Sequence, residues 1–394
     1  MTDPLGQSQV LPYLKGLSKQ GYQFHLISFE KSDKYHRHKK HIQQLCKEDN
    51  IVWHPQYYSK KKGLLKTIRQ TRRLNKVAFY LHEKHNFQIV HCRSYIAALS
   101  GLKLKRKLGI KFVFDMRGFW ANERVDGRLW SLKNPVYNTV YKYFKRKEIQ
   151  FFQESDYTIS LTENGKNEIL SWPTIDNNTK IKVIPCCVDT DKFNISKIDR
   201  STIDNLKEKL GLETGDFILG YIGSIGTWYM LSEMLDYFKQ LKTVRKNAKF
   251  LFVSGEDPKT IFKSAYEKSI EADDIKIASV LHSEVPQYIS LFDTSIFFIR
   301  PTYSKKASSP TKQGEIMSMG IPLICNSGVG DTDEIVEKYS AGIVIKQFDL
   351  PTYQSNMIDP SAFDPDKIAE GANDYFSLQE GVNRYLSVYR EING

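Results

Sequence analysis

The chain has 394 residues, of which 41% are hydrophobic and 26% are charged, and its formal net charge is +12. This length favours two domains over one, and the composition is typical of a water-soluble globular protein. The sequence lacks an apolar stretch near the roughly 20 residues of a membrane-spanning helix and lacks a signal peptide, so we expect a cytoplasmic protein.

The charge is divided unevenly along the chain. Residues 1–200 contain 37 Lys and Arg against 18 Asp and Glu, a net of +19, whereas residues 201–394 contain 20 against 27, a net of −7. A basic half with clusters such as 60–62, 103–107 and 145–147 could meet anionic lipid headgroups, a phosphorylated lipid or nucleic acid. A solvated lysine-rich surface explains the same clusters without a partner. The usual nucleic-acid recognition motifs are missing, so we expect peripheral membrane contact and no nucleic acid.

The cysteines do not form a pattern typical of a disulfide framework or a zinc site. The chain has five cysteines, an odd number, at Cys46, Cys92, Cys186, Cys187 and Cys325. No C-x-x-C pair occurs, and Cys186 and Cys187 are adjacent. We interpret all five as free thiols in a reducing compartment.

The first residues are predicted to form a loop over 3–8 that includes Gly6, then a helix over 10–17 and a strand over 24–29. This order corresponds to a Rossmann-like half without its first strand. Because that strand would be central in a doubly wound sheet, we expect the true start of the protein to lie upstream.

Strands and helices then alternate. Strands are predicted over 51–54, 89–91 and 111–115, with helices over 63–85 and 96–108 between them. This alternation is the pattern of a doubly wound α/β domain.

Two strand ends carry candidate functional residues. His91 follows one apolar strand, although a histidine there is often a satisfied core residue. Asp115 ends the next strand, at the edge where ligands bind in open α/β sheets, and Arg117 and Glu123 follow in a predicted loop rich in charged and aromatic residues. The alternative for Asp115 is a strand-end carboxylate that only caps this loop.

The second half begins with a predicted strand over 217–222, a tight turn from Gly223 and Ser224 to Gly226, and a helix over 230–241. Glycine lets the backbone approach a diphosphate, but any β–α connection can use it. A later strand over 294–300 places Arg300 at its carboxyl end.

Residues 308–326, SSPTKQGEIMSMGIPLICN, carry the most local information. Ser309 followed by Pro310 predicts a helix start, with Thr311 and Lys312 in the first turn, where a phosphate can bind. Glu315 lies one turn further along, and a buried strand follows over 321–325.

The pattern over 309–324 resembles the donor-sugar-nucleotide motif of the retaining family-4 glycosyltransferases of the GT-B fold. Residues 183–193 also resemble that family's Val-Ile-Pro-x-x-Val-Asp-x-x-x-Phe motif, which precedes its domain boundary. The resemblance implies an α/β protein with two Rossmann-like doubly wound domains that face each other across a cleft. The expected parts are an acceptor-binding domain at 1–195, a donor-binding domain at 196–365 and a C-terminal helix at 366–394 that crosses back to the N-terminal domain.

The resemblance also implies roles on the donor side. Glu315 would hold the ribose hydroxyls, and the helix start with Ser309, Thr311 and Lys312 would face the diphosphate. Members of the family usually carry a second acid that contacts the donor sugar, and here that position is Ala307.

The glycine turn differs from the family as well. Gly223 and Ser224 form the turn, but Ser224 replaces the usual arginine, and the lysine that normally follows is missing. Our hypothesis is that Arg300 and Lys312 supply the positive charge instead.

The family's mechanism is a front-face displacement in which the leaving phosphate helps to deprotonate the acceptor, without a metal ion. We assign catalysis to Asp115, Arg117 and Lys312, with Asp115 as a base or as a residue that anchors the acceptor. The expected acceptor side consists of Gly6, His91 and Glu123.

The predicted function is transfer of a hexose from a UDP- or GDP-sugar to a glycan or lipid-linked glycan acceptor in cell-surface polysaccharide biosynthesis. The nucleotide sugar is a co-substrate, and no other cofactor is expected. Ala307 and the missing first strand leave a sugar-nucleotide epimerase or an inactive GT-B homologue as the alternative. A polyanion-binding or nucleic-acid-binding protein is the remaining alternative.

Overall fold

The computed structural model describes residues 1–59 and 63–394, so the predicted lysine cluster at 60–62 lies outside the described residues. The chain divides into two compact units. The first unit comprises Met1–Cys187 and Leu378–Gly394, and the second comprises Val188–Ser377. No helix in the described part of the chain is long and apolar enough to cross a membrane.

The first unit contains the following helices and strands: α1 (Pro4–Gln9), α2 (Leu11–Ser18), β1 (Phe24–Glu30), α3 (Ser32–Glu48), β2 (Ile51–Tyr57), α4 (Leu64–His85), β3 (Ile89–Arg93), α5 (Ser94–Leu108), β4 (Lys111–Asp115), α6 (Trp120–Asp126), α7 (Pro135–Glu154), β5 (Tyr157–Ser160), α8 (Glu163–Leu170) and β6 (Ile181–Val183). Strands β1 and β2 form one parallel sheet, and β3, β4, β5 and β6 form another in that order. In the larger sheet Arg93 lies opposite Asp115.

Two segments of the first unit that the sequence predicted as loops are helical. Gly6 lies within α1, which begins with Pro4 in its first turn, a position where proline's fixed φ favours a helix. Glu123 lies within α6, because Trp120 packs its ring 4.8 Å from that of Phe144, measured between centroids, and so draws the segment into the core.

The second unit contains α9 (Arg200–Leu210), β7 (Phe217–Ile222), α10 (Leu231–Val244), β8 (Ala248–Val253), α11 (Pro258–Tyr266), β9 (Ile275–Ala278), α12 (Val285–Ile289), β10 (Thr294–Phe297), α13 (Thr311–Ser318), β11 (Leu323–Asn326), α14 (Thr332–Lys338), β12 (Gly342–Ile345), α15 (Leu350–Ser355) and α16 (Pro365–Phe376). Its six strands form one parallel sheet in the order β12-β11-β10-β7-β8-β9. All six residues of β7 are buried. This order and the helices between the strands confirm the predicted doubly wound α/β fold.

The last part of the chain is not the single helix predicted for 366–394. Helix α16 ends at Phe376, and the next helix, α17 (Leu378–Asn393), belongs to the first unit. The boundary between the first and second units also falls earlier than the predicted residue 195, between Cys187 and Val188. The reason is that the Val188 N–H donates a hydrogen bond of 2.8 Å to the Phe376 carbonyl, which ties the chain to the end of α16 from Val188 onward.

Helix α17 completes the core of the first unit. Tyr385 and Val382 are buried in a cluster with Tyr13 and Leu17 of α2, and the Tyr13 and Tyr385 rings meet edge to face at 5.3 Å. All five cysteines are buried and free of disulfide bonds in the described residues.

Candidate functional site

The glycine turn follows β7, a strand in the interior of the second unit's sheet. Gly223 has φ = +101°, a conformation that L side chains rarely adopt, so a glycine is required there. Gly223, Ser224 and Gly226 are exposed, and the Ser224 carbonyl accepts a hydrogen bond from the Tyr221 hydroxyl. A hydrogen bond from a buried tyrosine therefore holds the turn in place, and the turn residues remain accessible to a ligand.

Lys312 reaches this turn from helix α13. Its Nζ lies 4.0 Å from the ring centroid of Tyr221 and 3.8 Å from that of Tyr229. A Cβ atom at Gly223 would lie 3.3 Å from the same nitrogen. The sequence predicted Lys312 in the first turn of a helix, and the structure adds that its side chain is buried beside the glycine turn.

The amine of Lys312 is in an unusual electrostatic environment. Nζ has no hydrogen-bond partner among the described residues. Burial moves the pKa of Lys312 well below its ordinary value, and the charge of Glu315 only partly opposes this shift. A buried amine of this kind is stabilised when an anion comes within hydrogen-bonding distance.

Helix α13 begins one residue later than predicted. Its N-cap is Pro310, which makes no side-chain capping hydrogen bond, so the cap position lies one residue after the predicted Ser309. The reason is that Pro310 has the extended backbone of a cap residue, with ψ = 114°, instead of the helical first position. Ser309 and Thr311 are half-buried beside this helix start.

Glu315 is held by His282, which in turn contacts Lys192, and the sequence reasoning identified neither residue. Its Oε1 lies 2.9 Å from His282 Nε2, and His282 Nδ1 lies 2.9 Å from Lys192 Nζ. If the Lys192 ammonium donates to Nδ1, the proton of a neutral imidazole is on Nε2 and is donated to Glu315. Since His282 comes shortly after β9, its place beyond the carboxyl end of a parallel strand was the available signal.

Arg300 lies further from its strand than predicted. Strand β10 ends at Phe297, because residues 299 and 300 pair instead with the segment behind the glycine turn: Ile299 forms an antiparallel bridge with Tyr229, and the Arg300 N–H donates to the Trp228 carbonyl. The Arg300 side chain is exposed.

Two further positions bear on the donor side. Lys305 is buried with its Nζ 3.8 Å from the ring centroid of Trp228, so a second lysine lies next to the segment that follows the turn. Ala307 is fully buried at the end of a 3₁₀ helix, Tyr303–Ala307. The structure thus leaves no carboxylate at the position where the family usually has its second acid.

In the first unit, Asp115 is the centre of a buried polar cluster. The Tyr385 hydroxyl donates to Asp115 Oδ2 at 3.1 Å, and His91 Nε2 lies 3.5 Å from the same oxygen. The guanidinium groups of Arg93 and Arg117 are each 3.7 Å from an Asp115 oxygen. Of the predicted acceptor-side and catalytic residues, this cluster brings together Asp115, Arg117 and His91.

The cluster keeps Asp115 ionised. Burial alone would raise the pKa of this carboxyl group, but Arg117, the His91 hydrogen bond and Arg93 together hold it well below its usual range. A carboxylate with a strongly lowered pKa is a weak general base. The arrangement favours Asp115 as a binding or positioning residue.

Gly6 and Glu123 do not take part in the cluster. Among the described residues, the Asp115 carboxylate makes polar contacts with His91, Arg93, Arg117 and Tyr385, and with neither Gly6 nor Glu123. Arg93 and Tyr385 were missed by the sequence reasoning, and Arg93 could have been found as the last residue of β3. Within residues 1–59 and 63–394, no three His, Cys, Asp or Glu side chains are placed to hold one metal ion.

Two protein-family models match the chain. Residues 7–192 match the model described as Glycosyltransferase Family 4, and residues 202–358 match the model described as Glycosyl transferases group 1. No curated protein sequence matches the chain at a significant level.

Solved structures with a similar fold cover nearly the whole chain. Sucrose-phosphate synthase from Thermosynechococcus elongatus has a TM-score of 0.72 at 13% identity, covering 96% of this chain and 91% of that chain. A glycosyltransferase from Rickettsia africae has a TM-score of 0.70 at 15% identity, with 99% and 96% covered. HepE from Anabaena, in complex with UDP and glucose, has a TM-score of 0.68 at 14% identity, with 98% of each chain covered. These identities show the fold alone. The two family matches and this fold together show that the chain belongs to the group 1 and family-4 glycosyltransferases and has the GT-B fold.

Proposed function

We propose that this glycosyltransferase moves a hexose from a UDP- or GDP-sugar to a glycan or lipid-linked glycan acceptor, with retention of anomeric configuration and without a metal ion. The observation that supports the proposal most is the position of Lys312, whose buried Nζ lies beside the exposed turn at Gly223. A diphosphate bound at this turn would contact backbone amides, the start of α13 and the Lys312 amine.

Lys312 would act on the leaving group. A bound diphosphate would favour the protonated form of the Lys312 amine. As the bond from the sugar to the diphosphate breaks, negative charge grows on the diphosphate oxygens, and the protonated amine lowers the energy of that state. Tyr221 and Tyr229 hold the Lys312 amine in place before the reaction, since their rings contact its Nζ. Arg300 would add charge from the exposed segment that pairs with Trp228.

Glu315 would bind the ribose. A carboxylate accepts hydrogen bonds from two neighbouring hydroxyl groups, and His282 occupies only Oε1 at 2.9 Å. His282 therefore fixes the orientation of the carboxylate and leaves Oε2 for the sugar of the nucleotide. Ser309, Thr311 and Ser224 complete the proposed donor-binding set.

On the acceptor side, we propose that Asp115 anchors and positions groups, because its lowered pKa disfavours proton abstraction. The leaving diphosphate would then take the acceptor proton. Arg117 and His91 join Asp115 in this proposed site, whereas roles for Gly6 and Glu123 remain predictions.

Peripheral contact with an anionic membrane is part of the proposal. Leu129, Val136 and Tyr137 expose 60%, 58% and 41% of their surface, and Lys133 and Lys142 lie in the same stretch of sequence. Exposed apolar side chains among lysines are typical of proteins that bind the surface of an acidic bilayer. We therefore expect a cytoplasmic enzyme that binds vesicles containing phosphatidylglycerol and not vesicles of phosphatidylcholine alone.

A sugar-nucleotide epimerase or an inactive homologue is the second candidate, and the observation that favours it is the buried Ala307. Without an acid at this position the donor sugar loses a usual binding partner. An epimerase would return an isomerised nucleotide sugar, whereas a glycosyltransferase releases the free nucleoside diphosphate.

The experiment is to incubate the full chain with a panel of UDP- and GDP-sugars, with glycan and lipid-linked glycan acceptors, and to measure free nucleotide and isomerised donor. The proposal expects release of UDP or GDP by the wild type, in the presence of a chelator, and strong loss of release in Lys312→Met. Lys246→Met is the matched control, because Lys246 is exposed in the turn before β8, at the opposite edge of the sheet. Isomerised donor without release would favour the epimerase.

A further inference from the structure

Two arginines lie at the carboxyl edge of the first unit's larger sheet. Arg93 is the last residue of β3 and pairs with Asp115, the last residue of β4, and Arg117 follows two residues later. The backbone is turned at both places by residues with positive φ, Ser94 at +70° and Arg117 at +56°. Such conformations cost energy in residues other than glycine, and they cluster at binding sites.

The charges of this group do not balance. Arg93 and Arg117 contribute two positive charges, and each guanidinium lies 3.7 Å from Asp115, the one ionised acid in the described part of the chain that contacts them. The side chains of Arg117 and Asp115 are only 10% and 2% exposed, so water screens this excess charge weakly. A single additional negative charge would neutralise the group.

The guanidinium donors are also incompletely used. Arg117 Nη1 is buried without a hydrogen-bond partner in the described residues, and Nη2 donates only to the Cys186 sulfur at 3.1 Å, a weak acceptor. Among the same residues, Arg93 contacts Asp115 as an ion pair and makes no hydrogen bond with its guanidinium. A buried charged donor without an acceptor is costly, and the presence of Arg117 Nη1 at a strand edge points to a ligand.

We propose that Arg93 and Arg117 bind a singly charged oxyanion of the acceptor, so that the acceptor is an acidic glycan or a glycan linked through a phosphodiester. This inference rests on the proposed function, in which the first unit binds the acceptor. Guanidinium groups bind carboxylate and phosphate oxygens in bidentate fashion, which fits both kinds of anion.

The surrounding charge favours the same class of acceptor. The first unit carries 36 Lys and Arg against 17 Asp and Glu, a net of +19. A basic surface raises the local concentration of anions and speeds their association. Asp115 then has a defined part, since it holds both guanidinium groups while Tyr385 and His91 occupy its Oδ2.

The test measures binding of three small probes to the full chain by calorimetry and thermal unfolding. Sodium D-glucuronate carries a carboxylate, sodium dimethyl phosphate carries a phosphodiester, and D-glucose is the neutral control, with ionic strength matched by sodium chloride. The proposal expects glucuronate or dimethyl phosphate to bind and stabilise the wild type, and D-glucose and chloride to have no such effect. Which anion binds more tightly identifies the acid of the acceptor.

Arg93→Gln is the principal variant, because the Arg93 side chain is 27% exposed and its replacement threatens folding less than that of Arg117. It should weaken anion binding by about tenfold or more, and Arg93→Lys should restore part of it. Lys312→Met should bind the anions like the wild type. Equal binding by wild type and Arg93→Gln, or a loss of binding in Lys312→Met only, would overturn the inference.

The inference and the proposed function can fail separately. If neither glucuronate nor dimethyl phosphate binds the wild type, the anion subsite is refuted, whether or not UDP or GDP binds. If the anions bind as expected but UDP and GDP do not, the proposed donor chemistry is refuted and the arginine pair stands as an anion site.

Discussion

Lys312 and Gly223 are 89 positions apart in sequence, yet a Cβ atom on Gly223 would lie 3.3 Å from the Lys312 Nζ. The glycine turn and the lysine therefore form one site. The turn has a serine where an arginine is usual in the family, and Lys312 brings a buried amine to it from helix α13.

Gly223 should not tolerate a side chain. Its φ of +101° strains any L residue, and the added methyl group would press on the Lys312 amine. We expect Gly223→Ala to lower the free energy of unfolding by about 1 kcal/mol or more, measured by denaturant titration. Gly226→Ala in the same turn is the control, because a Cβ there meets no atom within 4 Å. Equal stabilities of the two variants would contradict this interpretation.

Lys312 should make stability depend on pH in the alkaline range. Its folded pKa lies below the unfolded value near 10.5, so the unfolded state binds a proton that the folded state lacks. As pH falls from 10.5, this difference destabilises the folded protein until the lowered pKa is reached. Lys312→Met should therefore be more stable than wild type at pH 7, by a margin that shrinks toward pH 10. A margin independent of pH, as we expect for Lys246→Met, would show that the Lys312 pKa is not lowered.

Glu315 should recognise the ribose hydroxyls. Wild type should bind UDP or GDP about tenfold more tightly than the 2′,3′-dideoxy form of the same nucleotide, and Glu315→Ala should lose this preference. His282→Ala should reduce the preference without abolishing it, because His282 only orients the carboxylate. Calorimetric titration of both nucleotide forms into wild type and into Glu315→Ala gives the coupling directly. A preference that persists in Glu315→Ala would assign the ribose to another residue.

Asp115 should stabilise the first unit above acidic pH. Asp115→Asn leaves Arg93 and Arg117 without their counter-charge, which should cost about 3 kcal/mol at pH 7. The folded pKa of Asp115 is lowered, so its contribution is present above the unfolded pKa and is lost as pH falls through the acid range. The stability difference should thus shrink at low pH. Asp33→Asn, at an exposed position of α3, should have little effect at any pH.

The sequence was informative where a function depends on neighbouring residues. The helix start with Lys312 and Glu315, the strand–turn unit at Gly223 and the strand end at Asp115 all follow from patterns within a few residues. These short patterns, with their resemblance to one family, were enough for the α/β architecture and for the family itself.

The sequence was silent where residues meet through the fold. Tyr385 reaches Asp115 across 270 positions, and His282 reaches Glu315 across 33. Arg93 joins Asp115 only because β3 and β4 pair in that register. The local predictions that failed, such as the loop at Gly6, failed because packing and helix-start chemistry outweighed the turn-forming residues.

The most direct measurement is calorimetric titration of UDP and GDP into wild type, Lys312→Met and Lys246→Met. If the diphosphate binds beside Gly223, wild type and Lys246→Met should bind one of the nucleotides equally, and Lys312→Met should bind it at least about tenfold more weakly. Equal affinities in all three proteins would contradict the account, because the buried amine would then have no part in binding the donor.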